Sequence, residues 1–485
     1  MDDDILPLNI SPKDWARTPP AVQVAIMSLV DMVRALSAEV QAQRAEIKEL
    51  RARLGQSSHN TSKPPSSDPP DAPPKPPRTL RGKPKGAQKG HPDQQRPLVP
   101  PEQVDEIVAV RPTQCPGCQH TLAPDLPDAA PVRRRQVWEL PPIRAHITEY
   151  QQHTVCCPSC QCLVYRGLPS NTPPGAFGPR LSAFTGLLHG AYHLSQRQTI
   201  QFLDEVCGIP LSLGGVATQC RRLSDALEPL DTQIAICLQS EPQLWVDETS
   251  WHERSQRSWL WVAAGENATS FRINPSRSGQ TLKTIVGEEY RGVVHSDRAS
   301  AYHALPDRQR QLCWAHLRRN LQGLVDYNHH ESALAREMLA QTQQIWMAWQ
   351  AVRSGLFDLI ALQQALLPVR MALRELLAIG TSSRWTKLQR LCQDVLRHWE
   401  ALWTFSRAEG IEPTNNRAER ALRRAVIWRK HRFGSQSGGG SRFVERILSV
   451  VATARQQGRN VFALLVDTLQ ASWSQTPAPS LFCNP

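Results

Sequence analysis

The chain has no run of about 18 apolar residues, so no membrane-spanning helix is expected from it. Its opening, MDDDILPLNI, lacks the basic start of a secretory leader, and the expected compartment is therefore the cytoplasm. Thiols stay reduced there. Twelve cysteines in 485 residues then point to metal binding or burial and away from disulfides. Acids are the minority charge, 44 Asp and Glu against 56 Lys and Arg, and the net +12 makes a polyanion the first partner to consider. A chain of this length can hold several domains with their own cores.

Composition and periodicity divide the chain. Ile26, Val33, Val40, Ile47 and Leu54 fall on one heptad position, and Leu29, Leu36, Gln43 and Leu50 on the other. Residues 21–55 are thus expected to form a coiled-coil helix pairing as a parallel dimer; an amphipathic helix packed on its own chain has the same pattern. Residues 56–100 are Pro- and Lys-rich with almost nothing to bury, which reads as a disordered linker. Its second half, with Arg78, Arg81, Lys83, Lys85 and Lys89, is either a basic arm for phosphates or a solvated spacer.

From 101 to 170, short β-like runs surround two cysteine pairs, and a zinc-binding β-rich domain is expected. Residues 175–240 read as helical, with one helix ending near Gly208 and another starting near Gly214. That spacing fits a helix-turn-helix presenting Gln219, Arg221 and Arg222 to a groove, and equally two helices packed into a core. Residues 241–320 hold the strand-like runs QLWVDETSW, SWLWVAAG, TSFRINPS and GVVHSD. Residues 321–410 are helical in pattern, with Trp346, Trp349, Trp385, Trp399 and Trp403 as core candidates. A helix bearing Glu419 and a Gly-rich loop (GSQSGGGS) occupy 411–455, and a last helical element fills 456–485.

Two features carry metal chemistry. CPGC (Cys115, Cys118) and CPSC (Cys157, Cys160) are matched C-x-x-C knuckles, able to offer four thiolates to a structural Zn²⁺; Cys156 and Cys162 are alternative ligands. Asp247 ends the apolar run LWV and Asp297 ends GVVHSD, so adjacent strands would project both carboxylates from one sheet edge. Hard Mg²⁺ takes such oxygen ligands. Glu419 is the one acid among seven Arg and Lys between Arg417 and Arg432. On that helix Ala418, Ala421, Leu422 and Ala425 form the buried stripe, with Glu419 at its edge. The plain alternative is a surface pair with Arg423.

These segments resemble one family. The zipper followed by LGQSSHNTSKPPSSDPP, the paired knuckles, WVDETSW, VVHSDRASAY, CWAHLRRN, PTNNRAERALR and ATARQQGRNVFALL are similar, nearly end to end, to transposases of the insertion sequence 66 family (TnpC-type). The resemblance implies a multidomain α/β protein. Its catalytic core would be RNase H-like, of the DDE type, with a large helical insertion before the final acid. Before the core would come the coiled coil, the linker, the zinc domain and a helical DNA-binding region. Asp247, Asp297 and Glu419 become the catalytic acids holding Mg²⁺ or Mn²⁺, with His295, Trp314, His316, Asn415 and Asn416 in support. Arg420, Arg423, Arg424, Arg429 and Lys430 would hold DNA phosphates. The partners implied are transposon-end and target DNA, a second copy or larger assembly, and helper proteins of the same element, in a bacterial cytoplasm at the nucleoid. The competing readings are an inactive DNA-binding regulator, a metal-dependent nuclease that does not join, and a structural zinc scaffold.

Overall fold

The computed structural model describes residues 12–54, 96–170 and 172–482. The expected linker lies outside them as far as Gln95. The described residues fall into two units: one takes 12–54, 149–201 and 211–482, the other 96–148 and 202–210.

In the first unit, α1 (Pro12–Arg17) leads into the long α2 (Pro20–Leu54). The heptad residues Leu29, Val33, Leu36, Val40, Ile47 and Leu50 all stay 44–60% exposed, so among the described residues nothing covers this apolar stripe of α2. Within it, Pro20–Arg44 is long and apolar enough by length and composition to cross a membrane. Asp31 and Arg34 sit at its middle, where hydrocarbon would penalise both charges. The antiparallel pair β1 (Thr154–Cys156) and β2 (Leu163–Tyr165) also belongs to this unit.

The second unit holds a 3-10 turn at Pro101–Gln103 and an isolated bridge between Gln114 and Thr121, with no strand among its described residues. The β-rich expectation for 101–170 is thus corrected to one short hairpin. Ile107, Val108, Val110 and Val137 are each at least 71% exposed. Branched side chains favour strands only where a neighbouring strand buries them, and here none does.

The rest of the first unit is a mixed sheet between helices. After α3 (Pro179–Gly190), α4 (Gln196–Cys207, in this unit as far as Gln201), α5 (Leu213–Ala226) and α6 (Glu228–Ser240) come β3 (Gln243–Glu253), β4 (Gln256–Ala264) and β5 (Thr269–Asn274). Then follow α7 (Gly279–Val286), β6 (Val293–Ser296) and β7 (Arg310–Leu312). The strand order is β5-β4-β3-β6-β7, antiparallel from β5 to β3 and parallel from β3 to β7. Trp245, Trp251, Trp261, Phe271 and Tyr302 fill its core with no more than 1% exposure, the largest apolar burial of the domain.

Four helices, α8 (Trp314–Asp326), α9 (Ser332–Arg353), α10 (Leu359–Thr381) and α11 (Thr386–Arg397), build a second core around Met338, Leu373, Leu388 and Trp403. Trp385, Trp399 and Trp403 are buried there, while Trp346 and Trp349 are half-buried at its rim. The chain then returns to the sheet as α12 (Asn416–Arg432), α13 (Gly438–Gln456) and α14 (Val461–Trp473). Phe433 and Gly434 end α12 at φ 61° and 119°, turning the chain so that Ser435 pairs beside Glu253 at the end of β3. A Cβ at Gly434 would lie 2.1 Å from the His252 carbonyl oxygen, so only glycine fits this turn.

Two local expectations change. The GGG of the Gly-rich loop forms the first turn of α13, because the Ser437 hydroxyl accepts from the Gly440 amide at 3.1 Å and offsets the glycine penalty. Gln219 on α5 is buried, accepting from the Ser182 hydroxyl at 2.7 Å, and is not available to a groove. Arg222 donates to the Pro174 carbonyl at 3.0 Å, while Arg221 stays exposed.

Candidate active site

Sheet register sets the first two acids side by side. β3 and β6 run parallel with Trp245 opposite His295, so two residues further along each strand direction the chain delivers Asp247 and Asp297 to the same edge. The Trp245 and His295 rings stack at that pair, centroids 4.6 Å apart and planes 17° apart. Burial holds His295 well below an ordinary histidine, at about 3, and its Nε2 meets Gln243 Oε1 at 3.0 Å. His295 is therefore a neutral spacer between strands.

Glu419 is carried by α12, whose start is tied to β3. The buried Asn415 just before the helix donates from its side chain to the Val246 carbonyl at 2.8 Å, one residue before Asp247. Its backbone N–H donates to Cys313 Sγ at 3.2 Å. Ala418, Leu422 and Ala425 face the core, so Glu419 emerges one turn in, at the helix edge.

Burial pushes the Asp247 carboxyl well above the usual aspartate value, and the charges of Glu248, Asp297 and Glu419 raise it further. Two of the predicted acids, Asp297 and Glu419, thus act electrostatically on the third, Asp247. Such repulsion is what a divalent cation relieves, and three carboxylates are a fitting donor set for hard Mg²⁺.

Among the neighbours of Glu419, His316 was expected in a supporting role, whereas Arg319 was not assigned from sequence. Arg319 on α8 donates to Glu419 Oε1 at 3.1 Å, and His316 Nε2 lies 3.5 Å from the same oxygen. Glu419 therefore pairs with α8 rather than with Arg423. His316 is held near 3 by burial, with Arg319 and Arg298 adding to the effect, so it is neutral at pH 7. Cys313, His316 and Glu419 place one ligand atom each within 4.8 Å of one another. Asp297, Arg298, His316, Asn320 and Asp394 line a cavity of about 240 Å³. In it Arg298 is held by Asp394 at 2.5 Å and Asn320 at 2.7 Å. CWAHLRRN contained the signal, since a helix starting at Trp314 puts His316, Arg319 and Asn320 within one turn of each other.

The basic helix is thinner than its composition suggests. Arg420, Arg423 and Lys430 are exposed and Arg424 is half-buried. Arg429 is corrected: nine residues after Arg420, about two and a half turns, it points the other way. It donates to the Thr249 hydroxyl at 2.6 Å and the Ser250 carbonyl at 2.8 Å. Arg417 donates to the Gly265 carbonyl and covers the Trp245 ring at 4.2 Å. Arg432 donates to the His189 carbonyl at 2.9 Å.

Each cysteine knuckle lies in its own unit, Cys115 and Cys118 in the second and Cys157 and Cys160 in the first. The two are locally twins. Cys115 N–H donates to the His120 carbonyl at 2.9 Å, and Cys157 N–H to the Cys162 carbonyl at 2.9 Å. Gln119 and Gln161 close the turns, both at φ 61°. Backbone amides of Cys118 and Gly117 lower the Cys115 thiol, and those of Cys160 and Ser159 lower Cys157. This is the amide-to-sulfur geometry of a thiolate metal ligand. The Cys156 thiol turns instead to the Gln161 carbonyl at 3.3 Å.

Residues 174–442, more than half of the chain, match the Transposase IS66 family, and the protein belongs to that family. Residues 11–97 match a family of unknown function (DUF6444). Two proteins of Sinorhizobium fredii, both described as uncharacterized, are similar. y4jD is 24% identical over 309 residues, covering 58% of this chain and 60% of its own. y4hP is 23% identical over 403 residues, covering 75% and 71%. The chain thus spans about 60% of the length of y4jD.

Proposed function

We propose that this protein is a DDE transposase that cleaves transposon-end DNA and joins it to a target. The observation that carries the reading is the β3–β6 register, which brings Asp247 and Asp297 to one edge, where Glu419 adds its charge to theirs. The sheet order, with a helical insertion before the acid-bearing α12, supports an RNase H-like core.

Asp247, Asp297 and Glu419 would hold Mg²⁺ or Mn²⁺, which when bound supplies Lewis-acid charge for phosphoryl transfer. The chain's own part is to place three carboxylates on one side of the scissile phosphodiester. It also keeps His316 neutral and balances Glu419 with Arg319. Hydrolysis at the transposon end frees a 3′-OH, which then attacks target DNA by direct transesterification. No serine or tyrosine nucleophile is required. Arg420, Arg423, Arg424 and Lys430 form the outward face for DNA phosphates. The bare stripe of α2 would pair two copies, as holding two ends demands. Thiolates of the knuckles, Cys115 with Cys118 and Cys157 with Cys160, would serve as zinc ligands.

The test is cleavage of a duplex carrying the element's terminal repeat, in Mg²⁺, by the full-length protein. Ala at any one of the three acids is expected to abolish cleavage while DNA is still bound. An Asp247→Ala protein that cleaves like wild type would overturn the reading. Pre-cut ends offered with target DNA then separate joining from simple nuclease action.

A further inference from the structure

Glu248 follows Asp247 on β3, so its side chain leaves the opposite face of the strand. That side chain is only 1% exposed. Oε1 accepts from Arg277 Nε at 2.6 Å and Oε2 from the Tyr302 hydroxyl at 2.5 Å. With both oxygens taken, Glu248 is not free to ligate a cation or touch substrate. Neither partner is loose. The Arg277 guanidinium lies over the Trp259 ring at 4.8 Å, and the fully buried Tyr302 meets Trp261 edge to face at 6.3 Å.

Tyr302 sits in the 3-10 turn Ser300–Ala304 that follows Asp297. The Ala299 amide donates to Asp297 Oδ1 at 2.8 Å, and the Tyr302 amide to the Ala299 carbonyl at 3.1 Å. On the other side the Glu248 amide donates to Asp247 Oδ1 at 2.8 Å. A hydrogen-bonded relay therefore runs from one acid to the other: Asp297, Ala299, Tyr302, Glu248, Asp247. A carboxylate kept out of water costs stability unless well paired, and a buried ion pair alone is weak evidence of a stabilising purpose.

We propose that Glu248 is a positioning residue for the acid centre, acting through Tyr302 and Arg277 to fix the turn that carries Asp297 beside Asp247. The inference rests on the acid-centre reading above. It makes Glu248 and Tyr302 outer partners of the cation site, a class whose loss weakens metal binding by about 10- to 100-fold.

The test is calorimetric titration of the full-length protein with Mn²⁺, using Asp247→Ala as the blank, together with the Mg²⁺ dependence of end cleavage. Tyr302→Phe keeps the ring and removes only the hydroxyl, and Glu248→Gln keeps the shape and removes the charge. Both are expected to bind Mn²⁺ about tenfold or more weakly and to need correspondingly more Mg²⁺ for half-maximal cleavage, with KM for DNA unchanged. Wild-type Mn²⁺ affinity in both variants overturns the inference, as does a loss no larger than the unfolded fraction seen by circular dichroism. Failure of the acid-centre reading looks different: Asp247→Ala would then bind Mn²⁺ as wild type does.

Discussion

Arg319 and Glu419, one hundred residues apart in sequence, meet at 3.1 Å across the gap between α8 and α12. That contact ties α8, the first helix of the second core, to the acid-bearing α12. It also gives the Glu419 carboxylate a countercharge.

Asp247→Asn is expected to abolish cleavage and yet stabilise the fold at neutral pH. The folded-state value of Asp247 lies above its unfolded value near 3.8. Its penalty is thus absent below that pH, grows as pH rises toward the folded value, and is constant beyond. Melting at pH 7 should rise in the Asn variant, and the difference should vanish below pH 3.8. Mg²⁺ should raise the wild-type melting temperature and leave that of the variant unmoved. Equal melting of the two proteins at pH 7 without metal would count against this.

Arg423→Ala and Arg429→Ala should separate binding from folding. The first removes an exposed charge, and should lower DNA affinity and shrink the salt slope by about one, with the melting temperature unchanged. The second strips donors from Thr249 and Ser250 and should destabilise the protein by about 1–3 kcal/mol. Fluorescence anisotropy across a salt series, set beside urea unfolding, reads both.

Zinc content should distinguish the knuckle cysteines from their neighbour. Cys115→Ser and Cys157→Ser are each expected to lower the zinc content, while Cys156→Ser leaves it unchanged, since that thiol is turned to Gln161. Elemental analysis of dialysed protein decides, and a zinc-free Cys156→Ser protein would contradict the assignment.

Leu36→Glu places a charge in the bare stripe of α2, where Leu36 is 53% exposed in the single chain. Sedimentation of the full-length protein should shift from dimer to monomer. An unchanged sedimentation coefficient would remove α2 as the pairing element.

Much of the architecture could be read locally. The heptad stripe, the four strands QLWVDETSW, SWLWVAAG, TSFRINPS and GVVHSD, and the alanine face of α12 all follow from periods of 3.5, 2 and 3.6 residues. The two short pieces β7 and α7 were missed because three and eight residues carry too little period to register. Asp297, just past the end of β6, was legible for the same reason as that strand, whereas Asp247 lies inside β3, which runs on to Glu253. Arg319, Tyr302, Arg277 and Glu248 were not legible, because nothing local marks which distant side chain a buried charge will meet.

By itself the sequence determined which residue types recur on which face: the zipper stripe, the cysteine turns, the strand edge that ends in aspartate. Tertiary structure alone decided partnership. It turned Arg429 inward to Ser250, sank Gln219 onto Ser182 and closed Glu248 between Arg277 and Tyr302. The reason is physical. Side-chain direction is set by bonds to adjacent residues, whereas the pairing of a desolvated polar group is set by whichever remote segment the packed core brings within about 3 Å.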